Sequence, residues 1–241
     1  FILLGVGWGA ITLLLAWLFL HEARRAGLNV TESTQAPPPP SEGLSVGEAL
    51  RDRALWQLAF SNFLIMALTM GLTIHLFPIL TEAGVSREKA ALLTALSGIA
   101  GIIGKLVTGY LLDRFRPNLV GGITLGAAAA AFALLIDGIA SPVLIVIALL
   151  INGYAAGTKT HITGYLTAGY AGMRNFRAIY GFMSALMSLA SGVGPLLAGA
   201  TYDRSGGYGP FLIAGLIGCV VGGLLMILMP PVRDWSGRKT G

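Results

Sequence analysis

The feature that most constrains this chain is a series of seven long apolar blocks, each near the length of helix that crosses a lipid bilayer. They run from about Phe1 to Leu20, Ala54 to Leu80, Ala90 to Leu112, Leu119 to Ile136, Pro142 to Leu166, Ile179 to Thr201 and Pro210 to Met229. About 20 helical residues span the roughly 30 Å hydrocarbon core. Barrel strands would be about half as long and would alternate lipid-facing with lumen-facing residues. These blocks are continuously apolar, so they are read as helices, which satisfy their own backbone groups in lipid. Composition agrees, since 55% of residues are hydrophobic and 11% are charged, against roughly 25% charged in a soluble domain. A water-soluble fold could not cover its surface with so few charges.

The chain opens at Phe1 inside the first block, without a basic leader or a small-residue cleavage site; His21-Glu22-Ala23-Arg24-Arg25 follows instead. The opening is therefore read as a truncated helix rather than a signal peptide. The lone Cys219 lies in the last block and can form no internal disulfide. A net charge of +5 does not point to nucleic acid, because the basic residues alternate between loops instead of forming one patch.

That alternation predicts topology. Arg24, Arg25, Arg51 and Arg53, then Arg114 and Arg116, then Arg174 and Arg177, then Arg233, Arg238 and Lys239 fall on one side, and Arg87, Lys89 and Arg204 on the other. The positive-inside rule makes the richer side cytoplasmic, with the C-terminus inside. Asn29 to Gly43, with Pro37 to Pro40, has the composition of an unpacked linker. Ser45-Val46-Gly47-Glu48 has capping-box spacing, and a short interfacial helix over Glu48 to Trp56 is expected to lead into the second span.

The third span ends in Gly104-Lys105-Leu106-Val107-Thr108-Gly109-Tyr110-Leu111-Leu112-Asp113-Arg114-Phe115-Arg116-Pro117. This resembles the G-x-x-x-D-R-x-G-R loop of the major facilitator superfamily, with Phe115-Arg116-Pro117 where the family has a glycine and two basic residues. Ser191 to Arg204 (Ser-Gly-Val-Gly-Pro-Leu-Leu-Ala-Gly-Ala-Thr-Tyr-Asp-Arg) resembles the family's eleventh helix and the loop after it. The resemblance implies a gate at Gly109, Asp113, Arg114 and Arg116. Gly109 would admit a close helix, and Asp113 would pair with an arginine or a helix N-terminus. Gly109-Tyr-Leu-Leu-Asp113-Arg114 recurs as Gly199-Ala-Thr-Tyr-Asp203-Arg204, with the copies ending on opposite sides. An inverted three-helix repeat has that form. Gly71-Leu-Thr-Ile-His75 and Gly157-Thr-Lys-Thr-His161 are a fainter echo of it.

Ionisable residues within spans are the functional candidates, because a charge at the helix centre costs roughly 2.5–3.5 kcal/mol unless it snorkels or meets a cavity. Lys105 lies eight residues, or about 12 Å, before Asp113. In the monocarboxylate and oxalate/formate branch of the superfamily a basic residue on this helix serves the anionic substrate, which makes Lys105 the matching candidate; snorkelling is the alternative. Some monocarboxylate carriers have an acid one turn earlier, where this chain has Gly101. Lys159 and His161, near the inner end of the fifth span, point to different sides, so at most one faces a cavity. Asn152 either binds solute or bridges helices. His75, one turn from the outer end of the second span, either couples protons or rests at the interface.

The expectation is an all-α membrane protein, a six-helix bundle of the major facilitator type built of two inverted three-helix repeats, plus one preceding transmembrane helix. Residues 1–20 would be the sixth helix of a parent carrier, 21–53 a cytoplasmic linker, 54–230 the C-terminal bundle and 231–241 a cytoplasmic tail. The resemblance implies secondary transport of a small solute, with an organic anion such as a monocarboxylate as the candidate, by alternating access in a bacterial inner membrane. The other partners expected are the lipid bilayer and the missing N-terminal half. A seven-helix receptor is the alternative, although a retinal protein would need a lysine deep in Pro210 to Met229. No catalytic constellation, cofactor or metal site is expected, since His21, His75 and His161 are scattered and no H-E-x-x-H occurs.

Overall fold

Capping residues place the helix boundaries. The computed structural model describes Trp17, residues 42–137, residues 141–233 and Trp235. The chain divides into two units, Phe1–Pro40 and Ser41–Gly241. Trp17, helical and exposed, is the described residue of the first unit. The expected first span, Pro37 to Pro40, Arg24, Arg25, Arg238 and Lys239 otherwise lie outside the described residues.

In the second unit Ser45 caps the short helix α1 (Val46–Ala49) with a full capping box. The Ser45 backbone N–H donates to the Glu48 carboxylate at 2.7 Å, and the Glu48 N–H to Ser45 Oγ at 3.3 Å. The interfacial helix is therefore shorter than the expected Glu48 to Trp56. Asp52 breaks it by capping a new helix, accepting from the Leu55 N–H at 3.1 Å.

That helix is α2 (Arg53–Glu82), followed by α3 (Arg87–Arg114), α4 (Pro117–Gly126) and α5 (Ala128–Asp137). Then come α6 (Pro142–Ala171), α7 (Phe176–Ser205) and α8 (Gly209–Ile227). Proline occupies the first turn of α4, α6 and α8, where its missing N–H would have had no partner in any case. The pieces α4 and α5 meet at Ala127 and together form one span, so six helices among the described residues are long and apolar enough to cross a membrane.

The closest helix pairs are α3 with α6 and α2 with α7. A two-fold axis exchanging the triplets α2 to α5 and α6 to α8 would swap these two pairs. Both crossings use glycine. A Cβ on Gly157 would lie 2.2 Å from the Gly101 carbonyl oxygen, and one on Gly194 would lie 1.8 Å from that of Ala67. Any side chain there would push the backbones apart. Gly109 makes no such approach among the described residues, where a Cβ on it would meet nothing within 4 Å. The approach expected there is made one and two turns earlier, by Gly104 and Gly101 against α6.

Successive crossings collect Arg51, Arg53, Arg114, Arg116, Arg174, Arg177 and Arg233 at one end of the bundle, and Arg87, Lys89 and Arg204 at the other. At the arginine-rich end the chain after α8 folds back. Arg233 pairs with Asp52 and also donates to the Tyr170 carbonyl at 3.1 Å, and Tyr170 Oη donates to the Pro230 carbonyl at 2.5 Å. The segment before α1 is tied to the end of α6, with the Leu44 N–H on the Ala171 carbonyl at 2.8 Å and Asn175 Nδ2 on the Leu44 carbonyl at 2.9 Å.

Candidate solute site

Buried polar residues recur at helical spacing on two facing helices. On α2 they include Asn62 and Thr69, with half-buried Thr73 one turn on; on α6 they include Asn152, Lys159, Thr163 and Thr167. Asn62 and Thr69, like Asn152 and Lys159, are seven residues apart, which returns them to one face after two turns.

The threonines first satisfy their own helices: Thr69 Oγ1 donates to the Ile65 carbonyl at 2.6 Å and Thr73 Oγ1 to the Thr69 carbonyl at 2.7 Å. Their oxygens then accept from α6. Lys159 Nζ donates to Thr69 Oγ1 at 2.5 Å, and Asn152 Nδ2 to Thr73 Oγ1 at 3.3 Å. Lys159 is 3% exposed. It makes no ion pair among the described residues, where the only one is Arg233 with Asp52. An ammonium has three N–H donors, and the threonine takes one. Asn152 Oδ1, Asn62 Nδ2 and Thr167 Oγ1 are buried without a hydrogen-bond partner. The site is thus a cation with spare donors, with polar atoms of spare capacity about two turns away along the same two helices.

Lys159 is not near the inner end of its span, as the block ending at Leu166 suggested. The helix continues to Ala171, which puts Lys159 about 18 Å from the nearer end, close to the middle. His161, two residues on, is exposed, so the two do point to different sides. Asn152 bridges helices through its amide nitrogen while its oxygen stays free.

Lys105 is exposed and has no hydrogen bond or ion pair among the described residues. It shares an open face of α3 with Gly98, Ile102 and Gly109, away from the Gly101, Gly104 and Thr108 face that packs on α6. Thr108 Oγ1 and Tyr154 Oη hydrogen-bond at 2.9 Å across that packed face.

Asp113 does not pair as expected: it is exposed and makes no ion pair or hydrogen bond among the described residues. Its place in the last turn of α3 sets it beside carbonyl ends, where a negative charge is not stabilised. Arg114 and Arg116 are exposed beside it, and Arg116 is the N-cap of α4 without a side-chain cap bond.

His75 lies at the other end, half-buried between helices. Its Nε2 is 3.2 Å from the Pro195 carbonyl oxygen and its Nδ1 is 2.9 Å from Tyr208 Oη. A carbonyl only accepts, so Nε2 carries the proton and Nδ1 accepts from the tyrosine. Burial, then the Glu82 and Asp203 carboxylates, hold the Tyr208 hydroxyl above its ordinary range and keep it a donor. Tyr202 Oη donates to Glu82 beside this pair.

Thr69, Thr73 and Tyr208 carry these contacts, and the sequence reading passed over them. The signal for the first two was present, since Asn62, Thr69 and Thr73 mark one face of a mostly apolar span. Tyr208 had none, because its partner lies 133 residues away.

The Major Facilitator Superfamily model matches residues 1–158 and, again, residues 63–241. The chain belongs to the Major Facilitator Superfamily. It is an integral, multi-pass membrane protein of a transporter family and not an enzyme. It is similar to the gallate transporter of Pseudomonas putida, with 33% identity over 192 residues of alignment that cover 71% of this chain and 41% of the relative. It is also similar to the 4-hydroxybenzoate transporter PcaK of Acinetobacter baylyi, at 29% identity over 144 residues, covering 53% of this chain and 30% of the relative. The chain thus spans less than half the length of these relatives.

Proposed function

We propose that this chain is the C-terminal half of a secondary carrier that moves an organic anion by alternating access, with Lys159 supplying positive charge to the solute's carboxylate. The observation that carries the reading is a buried ammonium near the middle of a membrane-length helix that has one threonine partner and no carboxylate among the described residues. An unpaired charge there is costly, and a bound anion would offset that cost. Asn152 would then hold the solute through its free amide oxygen, with a hydroxyl group as a fitting donor. Both relatives are named for aromatic hydroxy acids, which supports that solute class.

In this reading Lys105 and His161 stand on exposed faces that the N-terminal half would cover, and they add positive charge along the path. Gly109, Asp113, Arg114 and Arg116 form a gate whose partners come from the other half. His75 couples protons: adding a proton to Nδ1 removes the acceptor that Tyr208 uses and loosens α2 from the turn before α8. The arginine-rich end lies in the cytoplasm, and the membrane is a bacterial inner membrane, as the charge distribution and the bacterial relatives support.

The test is uptake of radiolabelled 4-hydroxybenzoate by cells expressing the full-length carrier with Lys159→Met or Lys159→Arg. A hydrogen bond to a charged group contributes about 1.5–3 kcal/mol. Lys159→Met is therefore expected to raise the half-saturating concentration about 10- to 150-fold, while Lys159→Arg keeps part of the affinity. Wild-type uptake by the methionine variant, at equal amounts in the membrane, would remove the assignment.

A further inference from the structure

Among the cavities at the arginine-rich end, two adjoin each other, are of opposite character and are not used by the solute path. The first, of about 220 Å³, lies between α1, the start of α2 and the start of α7. Its walls are Val46, Leu50, Trp56, Ile179, Phe182 and Met183, among other apolar residues. The one polar side-chain atom in this lining is Trp56 Nε1, and it is spent on the Leu50 carbonyl at 2.8 Å. Trp56 and Phe182 meet edge to face at 5.9 Å and leave both rings partly exposed. The second cavity, of about 580 Å³, follows the turn from Met173 to Ala178 and is lined by Arg174 and Arg177. Ala178 borders both cavities.

We infer that this pair of cavities binds an anionic glycerophospholipid, an acyl chain in the apolar cavity and the phosphate on Arg174 and Arg177. The charge around it fits. Arg51, Arg53, Arg174 and Arg177 are all exposed and have no ion-pair partner among the described residues. Of the acids at the same end, Asp52 is taken by Arg233 and Glu48 by the capping box; Asp113 stands at the end of α3 beside Arg114 and Arg116, and Glu42 is exposed next to the turn, its backbone carbonyl accepting from the Met173 and Arg174 N–H groups. The Ser45 hydrogen bonds, and least of all the charge of Arg174, hold the Glu48 carboxylate below its ordinary range. The depth fits as well: a tryptophan with its N–H on a backbone carbonyl and its ring in an apolar groove, one turn inside a row of arginines, is the arrangement of a headgroup boundary. A zwitterionic lipid would fill the apolar cavity equally well but would leave the arginines with less compensation. A neighbouring helix of the carrier would fill it without needing them at all.

The test uses the full-length carrier in nanodiscs holding phosphatidylglycerol and phosphatidylcholine of matched chains, with native mass spectrometry of the retained lipid. Wild type is expected to retain phosphatidylglycerol preferentially. An arginine near an anionic surface contributes about fivefold, so Arg174→Gln with Arg177→Gln should cut that preference about 25-fold without lowering total lipid. Ala178→Phe, at an exposed position that both cavities share, should reduce retention of both lipids. A photoreactive p-benzoylphenylalanine at position 182 should crosslink to lipid. Equal retention of the two lipids by wild type, or an unchanged preference in the double variant, would overturn the inference. So would crosslinking of position 182 to another helix of the carrier.

Discussion

The crossing of α2 and α7 makes a quantitative demand that one methyl group can test. In Gly194→Ala the new Cβ would stand 1.8 Å from the Ala67 carbonyl oxygen and 2.7 Å from its carbonyl carbon. Carbon and oxygen do not approach closer than about 3.0 Å, so the helices must separate locally by at least about 1.2 Å. Neither contact atom belongs to a side chain that could swing aside. Overpacking of this kind costs about 1–3 kcal/mol, or about 5- to 150-fold in the folding equilibrium. The separation also falls close to Thr69, two residues beyond Ala67, and should weaken its grip on Lys159. Gly192→Ala is the matched control, on the same helix, with nothing within 4 Å of the added carbon. Thermal unfolding of the purified full-length carrier in detergent, followed by the fraction remaining monodisperse, should show Gly194→Ala melting several degrees below Gly192→Ala. Coincident curves for the two variants would refute the packing argument.

Two further outcomes follow from residues outside that crossing. Lys105→Ala in the full-length carrier should insert normally yet lose most anion uptake, with Lys105→Arg retaining some; unchanged uptake by the alanine variant would leave Lys105 a snorkelling residue. The Ser45 backbone N–H and hydroxyl hold the Glu48 carboxylate below its ordinary value of 4.5. A depressed pKa means that the capping contribution is present above that value and disappears as the pH falls through the lowered one. Acidification below about pH 4.5 should therefore fray α1 and change the emission of Trp56, whose indole donates to Leu50 at the end of that helix. Glu48→Gln should remove the pH dependence.

Much of the architecture was legible before any coordinates, because its causes are local. A run of apolar residues longer than a bilayer is thick must cross it as a helix, and Ser45, Asp52 and the prolines at 117, 142 and 210 mark helix starts by chemistry within one turn. The Gly109-to-Arg114 and Gly199-to-Arg204 copies foretold the exchange of helix pairs for the same reason, since a repeat is a pattern along the chain. Within this bundle it is Gly101 and Gly104, not Gly109, that approach α6 closely, because a glycine's neighbourhood depends on a partner helix and not on its own span. The same limit hid the central site. Lys159 and Thr69 are 90 residues apart, and nothing near Lys159 in the chain says whether its ammonium reaches the lipid boundary or a threonine on another helix. That choice was made by the packing of α2 against α6, which buries the lysine near the middle of its helix with the Thr69 hydroxyl as its hydrogen-bond acceptor among the described residues.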